Sequence, residues 1–339
     1  MAQARPPNLT LKQHAALTRR ITQLSVATAV VLTVIKAFAW YASGSVAMLG
    51  SLADSGLDLI AALATFFAVR YAAEPPDHEH RYGHGKAEAF ASLLQAGLVF
   101  ASAALVGQAA ISHLLHPVAI SQQGWDMAVM AVSILLTGLL VMAQSRVLAT
   151  ARSVAVQGDR LHYAADLGSN LVALVAIGLA ALLGRPEPDA IGGLIVAAWL
   201  VWGAVGVFRA SSVELMDHEL PDESRAQIVK LMTEEPGITD VHQLRTRASG
   251  PYIHIQMHAG LDPDLSLIQA HHLMVAAEKR VLRAFPAADI IIHPDPHGRA
   301  EPHGGAFAEF DRDGAVNAPL TCPGLCLTEQ SALAEASLV

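Results

Sequence analysis

The chain has 339 residues, of which 53% are hydrophobic and only 15% charged, and its mean hydropathy is positive. That is the balance of a helical membrane protein rather than a soluble enzyme. A formal net charge of −8 excludes nucleic acid as a partner, because binding a polyanion needs clustered Lys and Arg. Both cysteines, Cys322 and Cys326, stand near the carboxy-terminal end, which excludes a disulfide framework or a thiolate metal site in the main body. Metal chemistry upstream must use nitrogen and oxygen.

Residues 1–20 carry Arg5, Lys12, Arg19 and Arg20 with no apolar core ahead of a cleavage site. They are expected to form a cytoplasmic arm, with the first span an anchor rather than a removed signal peptide. Between residues 21 and 210 six apolar stretches follow, at 21–41, 47–69, 89–115, 127–143, 161–183 and 190–208. Each is near the ~20 residues a spanning helix needs, the fourth being short. They lack the alternation of barrel strands, and an open strand in lipid would leave its backbone unpaired, so six transmembrane helices are expected. Arg70, Arg81 and Lys86 lie in the second-to-third connection and Arg146, Arg152 and Arg160 in the fourth-to-fifth, against Arg185 on the other side. This asymmetry places both termini in the cytoplasm.

The second stretch contains Asp54 and Asp58 in SLADSGLD, and the fifth opens with His162 and Asp166 in LHYAAD. A carboxylate at mid-span costs roughly 2.5–3.5 kcal/mol, so ionisable groups there mark function. Spacing of i and i+4 puts each pair on one helix face with Cβ atoms about 5–6 Å apart. Asp54, Asp58 and Asp166 are the carboxylates of the spans as drawn. With His162 they supply three oxygens and one nitrogen, the four-ligand count that Zn²⁺ favours. Asp58 lies deep in its stretch and His162 near the edge of its own; tilt or a longer fifth helix would align them. In the second-to-third connection, PPDHEHRYGHGKAE brings Asp77, His78, His80 and His84 within eight residues. The sequence alone reads equally as a loose His-rich loop or as a metal site on Asp77, His80 and His84.

Residues 211–296 change to the texture of a small α+β domain. A turn and cap at 219–223 precede a helix at 224–234. Strands at 241–247 and 252–259 flank the turn Ser249, Gly250, Pro251, then come a helix at 265–285 and a strand at 289–293. The αββαβ order is ferredoxin-like, as in metallochaperones. A three-residue turn sets His242 opposite His258, and His293 and Asp295, two apart, share a strand face. His271 projects from the second helix, and His254 is expected at the surface. Residues 297–339 are expected to be a disordered tail, where Cys322 and Cys326 are weak grounds for a metal site. There is no internal repeat of fixed period.

Over residues 15–296 the chain resembles the cation diffusion facilitator family, and within it the bacterial zinc and ferrous-iron efflux branch. The family pattern of two Asp on the second helix with a His and an Asp on the fifth falls on Asp54, Asp58, His162 and Asp166, and no member departs. The resemblance implies a homodimer in the bacterial inner membrane that exports a divalent metal in exchange for protons. It further implies an interface zinc site on Asp77, His80 and His84, and a salt bridge between Lys86 and Asp217, within or between subunits. A binuclear zinc site at the dimer interface is implied on His242, His258, His271, His293 and Asp295. Pro294 stands where family members carry Gln, so no side-chain contact is expected from that position.

The expected function is therefore zinc efflux by alternating access, with no enzymatic activity and no cofactor beyond bound divalent metal. Nitrogen and oxygen ligands without sulfur favour Zn²⁺, then Cd²⁺, Fe²⁺, Co²⁺ or Mn²⁺, and disfavour Cu(I). An intramembrane metalloprotease would need a motif such as H-E-x-x-H, which does not occur. A passive channel would line its pore with rings of like residues rather than a cage of unlike ones. A membrane-tethered metal sensor without transport stays open as an alternative.

Overall fold

The computed structural model describes residues 9–43, 46–115, 124–183 and 187–298. Six long helices come first: α1 (Leu11–Ser43), α2 (Val46–Ala72), α3 (Ala87–Leu115), α4 (Gly124–Leu148), α5 (Val154–Leu183) and α6 (Glu187–Leu215). Then follow α7 (Asp222–Thr233), β1 (Ile238–Ser249), β2 (Tyr252–Leu261), α8 (Leu267–Ala284) and β3 (Ala288–Pro296). This is the expected αββαβ order, and the three strands form one sheet in the order β1-β2-β3. Among the described residues five helices, α1, α2, α3, α4 and α6, are long and apolar enough to cross a membrane; α5 is a sixth helix of comparable length, 30 residues.

Compact packing divides the chain into two units. The first is Met1–Ser224 with Thr246–His254 and Leu282–Asp289; the second is Arg225–Arg245, Ile255–Val281 and Ile290–Val339. In the first, burial is inverted relative to a water-soluble bundle. Phe38, Leu57, Ile60, Leu105, Leu135 and Trp202 are exposed, while Ser25, Thr65, Ser92, Gln95 and Gln144 are buried. Lipid solvates the outer apolar face, and helices approach through small residues inside. Ala103, Ala165 and Ala204 form such a seam with Val99, Val196 and Leu200 of α3, α5 and α6. A Cβ on Gly203 would stand 2.7 Å from Leu161 Cδ1. In the second unit, Ile228 and Met232 of α7, Ile255, Met257 and Ala259 of β2, and Met274, Ala277 and Val281 of α8 are buried.

Several boundaries depart from the sequence reading for identifiable reasons. Helix α1 begins at Leu11, so half of the expected arm is helical. Thr10 and Gln13 form a reciprocal cap, Gln13 N donating to Thr10 Oγ1 (3.3 Å) and Thr10 N to Gln13 Oε1 (3.0 Å), a capping box. The fifth helix starts at Val154 because Ser153 Oγ accepts the Val156 N–H at 3.2 Å, an N-cap. This longer helix places His162 two turns inside, which removes the depth mismatch with Asp58. The helices extend past the drawn spans and take in further carboxylates: buried Asp159 lies in α5, Glu88 in α3 and Glu214 in α6.

The hairpin turn is Gly250-Pro251 rather than three residues. Gly250 has φ 53°, and a Cβ there would lie 2.6 Å from the Gly85 carbonyl oxygen; one on Gly85 would lie 2.0 Å from the Ser249 carbonyl oxygen. Two glycines thus let two backbones touch, and one of them also adopts a left-handed conformation. Gly250→Val is expected to lower stability by about 2–4 kcal/mol, combining overpacking with backbone strain. Thermal unfolding of the detergent-purified protein measures it, and an unchanged midpoint would contradict the contact.

Candidate metal sites

Helices α2 and α5 bring Asp58, His162 and Asp166 together, with one ligand atom from each inside a 4.8 Å circle of mutual distances. His162 Nε2 lies 3.0 Å from Asp58 Oδ1, and its other ring nitrogen, Nδ1, is buried without a hydrogen-bond partner. His162 is 6% exposed, so a nitrogen with no partner there has no water to fall back on. The donor set fits a divalent cation. Asp54, which shares a face of α2 with Asp58, is not in this group.

Beside the cage lies a node that the sequence reading missed. Asp159 of α5 is 1% exposed. It accepts hydrogen bonds from Ser25 Oγ (2.6 Å), Gln144 Nε2 (2.8 Å) and Gln95 Nε2 (3.4 Å). Gln144 Nε2 also reaches Ser25 Oγ at 3.0 Å, and Gln95 Nε2 reaches Thr65 Oγ1 at 3.0 Å and the Ala61 carbonyl at 3.2 Å. Five helices, α1 to α5, thus meet in one polar network. The signal available in sequence is a carboxylate three residues before His162, outside the fifth stretch as drawn.

In the connection between α2 and α3, Asp77, His80 and His84 converge. His80 Nδ1 is 3.4 Å and His84 Nε2 is 3.2 Å from the Asp77 carboxylate. His84 is buried, at 6% exposure, yet neither of its ring nitrogens is aligned for a hydrogen bond. A buried imidazole left in that state suits a metal ligand. His80 N and Glu79 N both donate to Asp77 Oδ1, at 2.6 and 2.9 Å. The backbone bond from His80 is the main reason that the Asp77 carboxyl sits below its ordinary pKa, which keeps it ionised for a cation. His78 is not part of the group.

Lys86 Nζ meets Asp217 at 3.1 Å within one chain. Arg247 Nη1 joins the same carboxylate at 3.1 Å, a third member not anticipated.

In the α+β domain His242, His258 and Asp295 form the third group. Asp295 Oδ2 lies 3.0 Å from His242 Nε2 and 2.8 Å from His258 Nδ1. His293 flanks them, its Nε2 3.3 Å from Asp295 Oδ1 and its ring 4.7 Å from that of His258. Burial acts to raise the Asp295 pKa, but the hydrogen bond from His258 and the surrounding imidazoles outweigh it, and the group sits below its ordinary value. An ionised, 6% exposed carboxylate among imidazoles is a donor set suited to Zn²⁺. His271 is not gathered here: it sits on α8, its ring 6.2 Å from that of His272. Gln243, the residue after His242, has a left-handed backbone, φ 49°, and the His242 and His258 rings lie 5.4 Å apart.

His254 is a correction. It was expected at the surface, but it is 7% exposed, with Tyr82 edge-on to its ring at 5.6 Å and Asp289 Oδ2 3.3 Å from Nδ1. Burial, helped by Arg247 and opposed by the Asp289 bond, lowers its pKa. The unfolded chain therefore takes up a proton first, so stability from this group is full above the ordinary value of about 6.5 and declines below it. Between pH 7 and pH 5 the wild type is expected to lose more thermal stability than His254→Leu; equal losses would contradict this.

Residues 22–216 match the cation efflux transmembrane domain, and residues 220–297 the cytoplasmic domain of cation efflux proteins. The cation-efflux pump FieF of Citrobacter koseri is 38% identical over 281 residues, 82% of this chain and 93% of that protein. FieF of Serratia proteamaculans is 38% identical over 284 residues, covering 84% and 94%. Among solved structures, the zinc form of the transporter CzrB is 30% identical, covering 25% of this chain and 98% of that one, with a TM-score of 0.24. The cadmium form of a MamM carboxy-terminal domain variant is 25% identical, covering 22% and 96%, with a TM-score of 0.22. Two family domains matched in series, with relatives aligned along most of their length, establish that the chain belongs to the cation diffusion facilitator family of integral membrane cation efflux proteins.

Proposed function

We propose that the protein exports zinc from the cytoplasm in exchange for protons, as a homodimer in a bacterial inner membrane. In this reading α5 is the sixth span, both ends of the chain face the cytoplasm, and residues 297–339 form the tail. The observation that carries the reading is the convergence of Asp58, His162 and Asp166 from two apolar helices. Asp54, one turn away on α2, is the fourth ligand, completing the cage when α2 shifts. Carboxylates in a low-dielectric site require a counter-charge, so protons occupy the cage when the metal leaves. His162 Nε2 and Asp58 Oδ1, 3.0 Å apart, are placed to hold one such proton between them, which an entering cation would displace. Fe²⁺, Cd²⁺, Co²⁺ and Mn²⁺ are alternative cargoes on ligand type.

The loop group and the α+β group, with His271 and His293 completing the latter across the dimer interface, serve as metal sensors that tighten the dimer. These clusters also favour a second reading, a tethered sensor without transport. Zinc uptake by inverted vesicles separates the two. Accumulation above protein-free vesicles, competed by the other divalent ions in order of their affinity, is expected for an exporter; none is expected for a sensor.

A further inference from the structure

The geometry points to Asp240 as a positioning residue for the metal ligand His242: its carboxylate accepts a hydrogen bond from His242 Nδ1–H and thereby fixes Nε2 as the metal-binding nitrogen. This rests on the reading that His242, His258 and Asp295 hold a metal. His242 Nδ1 lies 2.8 Å from Asp240 Oδ2 while Nε2 lies 3.0 Å from Asp295 Oδ2. The imidazole is thus strung between two carboxylates, one on the side where a metal would sit and one behind it. A carboxylate behind a ligating histidine sets its tautomer and ring orientation and raises its basicity.

Asp240 is itself held in place. Its Oδ1 accepts from Thr239 Oγ1 at 2.9 Å and lies 3.2 Å from His297 Nδ1. His297 Nδ1 is also 3.1 Å from Thr239 Oγ1, and the His297 backbone N–H donates to the Leu261 carbonyl at 2.7 Å. Room for the carboxylate comes from Gly260, where a Cβ would stand 2.0 Å from Asp240 Oδ1 and 2.7 Å from Thr239 Oγ1. A glycine there serves space rather than backbone freedom. The residue just past β3, His297, thereby becomes part of the support of the site.

Zinc affinity is measured by competition with a chromophoric chelator. The protein is the full chain in detergent, carrying Asp58→Ala and His84→Ala so that the α+β site dominates. Asp240→Ala is expected to weaken zinc binding roughly 10- to 100-fold. Asp240→Asn keeps the shape and a neutral acceptor, and should fall between Ala and the parent. That graded order reads the charge on the acceptor, which a purely steric role would not produce. Asn and Ala variants both within twofold of the parent overturn the inference, and if the Ala variant does not fold, Asn at parental affinity overturns it alone. His258→Ala tests the underlying reading separately: if it leaves zinc binding intact, the metal site itself is misplaced, whatever Asp240 does.

Discussion

Asp58→Ala is expected to abolish metal uptake into inverted vesicles while leaving the protein folded. The carboxylate sits opposite His162 at 3.0 Å and shares a 4.8 Å neighbourhood with Asp166, so its removal takes away both a ligand and the partner of a buried imidazole. Truncating one charged member of a buried binding contact costs about 2–5 kcal/mol, which is roughly 30- to 5,000-fold in cation affinity. Initial rates of zinc uptake, normalised to protein in the membrane, provide the measurement. Uptake above one tenth of wild type would place the conducting site elsewhere. Asp54→Ala is expected to retain more activity than Asp58→Ala, because it removes one ligand without also removing the partner of His162.

Asp159→Leu is expected to have the largest effect on stability. Removing its carboxylate leaves the Ser25 hydroxyl proton without its acceptor and deprives Gln144 Nε2 and Gln95 Nε2 of one acceptor each, Gln144 keeping only Ser25 Oγ. Buried donors left unpaired cost about 1–3 kcal/mol each, although interhelical hydrogen bonds in membranes average nearer to 0.6 kcal/mol because partners can be found after repacking. A net loss of roughly 2–4 kcal/mol follows from these bounds. Asp159→Asn keeps one acceptor and should lose less than half as much. Thermal stability in detergent, followed by size-exclusion chromatography, checks the order wild type, Asn, Leu. Equal midpoints for all three would mean that the node holds nothing together.

How much of this was legible in sequence depends on the range of the interaction. The pairs Asp54/Asp58 and His162/Asp166 announce a helix face because four residues make one turn, and the runs around them announce lipid. Which of the four meet cannot be read that way: depth along the axis depends on where α5 begins, and Ser153 fixed that by capping a turn nobody would place in a span. Asp159 was hidden for the same reason. In the α+β domain, period-two spacing brought His293 to Asp295 and the hairpin brought His242 to His258, although through a turn one residue shorter than expected. The same spacing joins Asp240 to His242, so that signal was present. Its significance was not, because the anchors His297 and Gly260 lie far along the chain and only pairing of the strands brings them near. His254 failed differently: a strand residue expected to face water was covered by Tyr82, a residue of the connection between α2 and α3.

The central claim is that metal and protons are alternate occupants of the cage formed by Asp58, His162 and Asp166. The direct test is zinc added to proteoliposomes containing the full-length protein, with a zinc indicator and a pH indicator trapped inside. Zinc entry accompanied by proton movement in the opposite direction, accelerated by an imposed gradient that is acidic inside, and with both signals lost in Asp58→Ala, is the predicted result. Zinc entry without proton movement and indifferent to the gradient would contradict it.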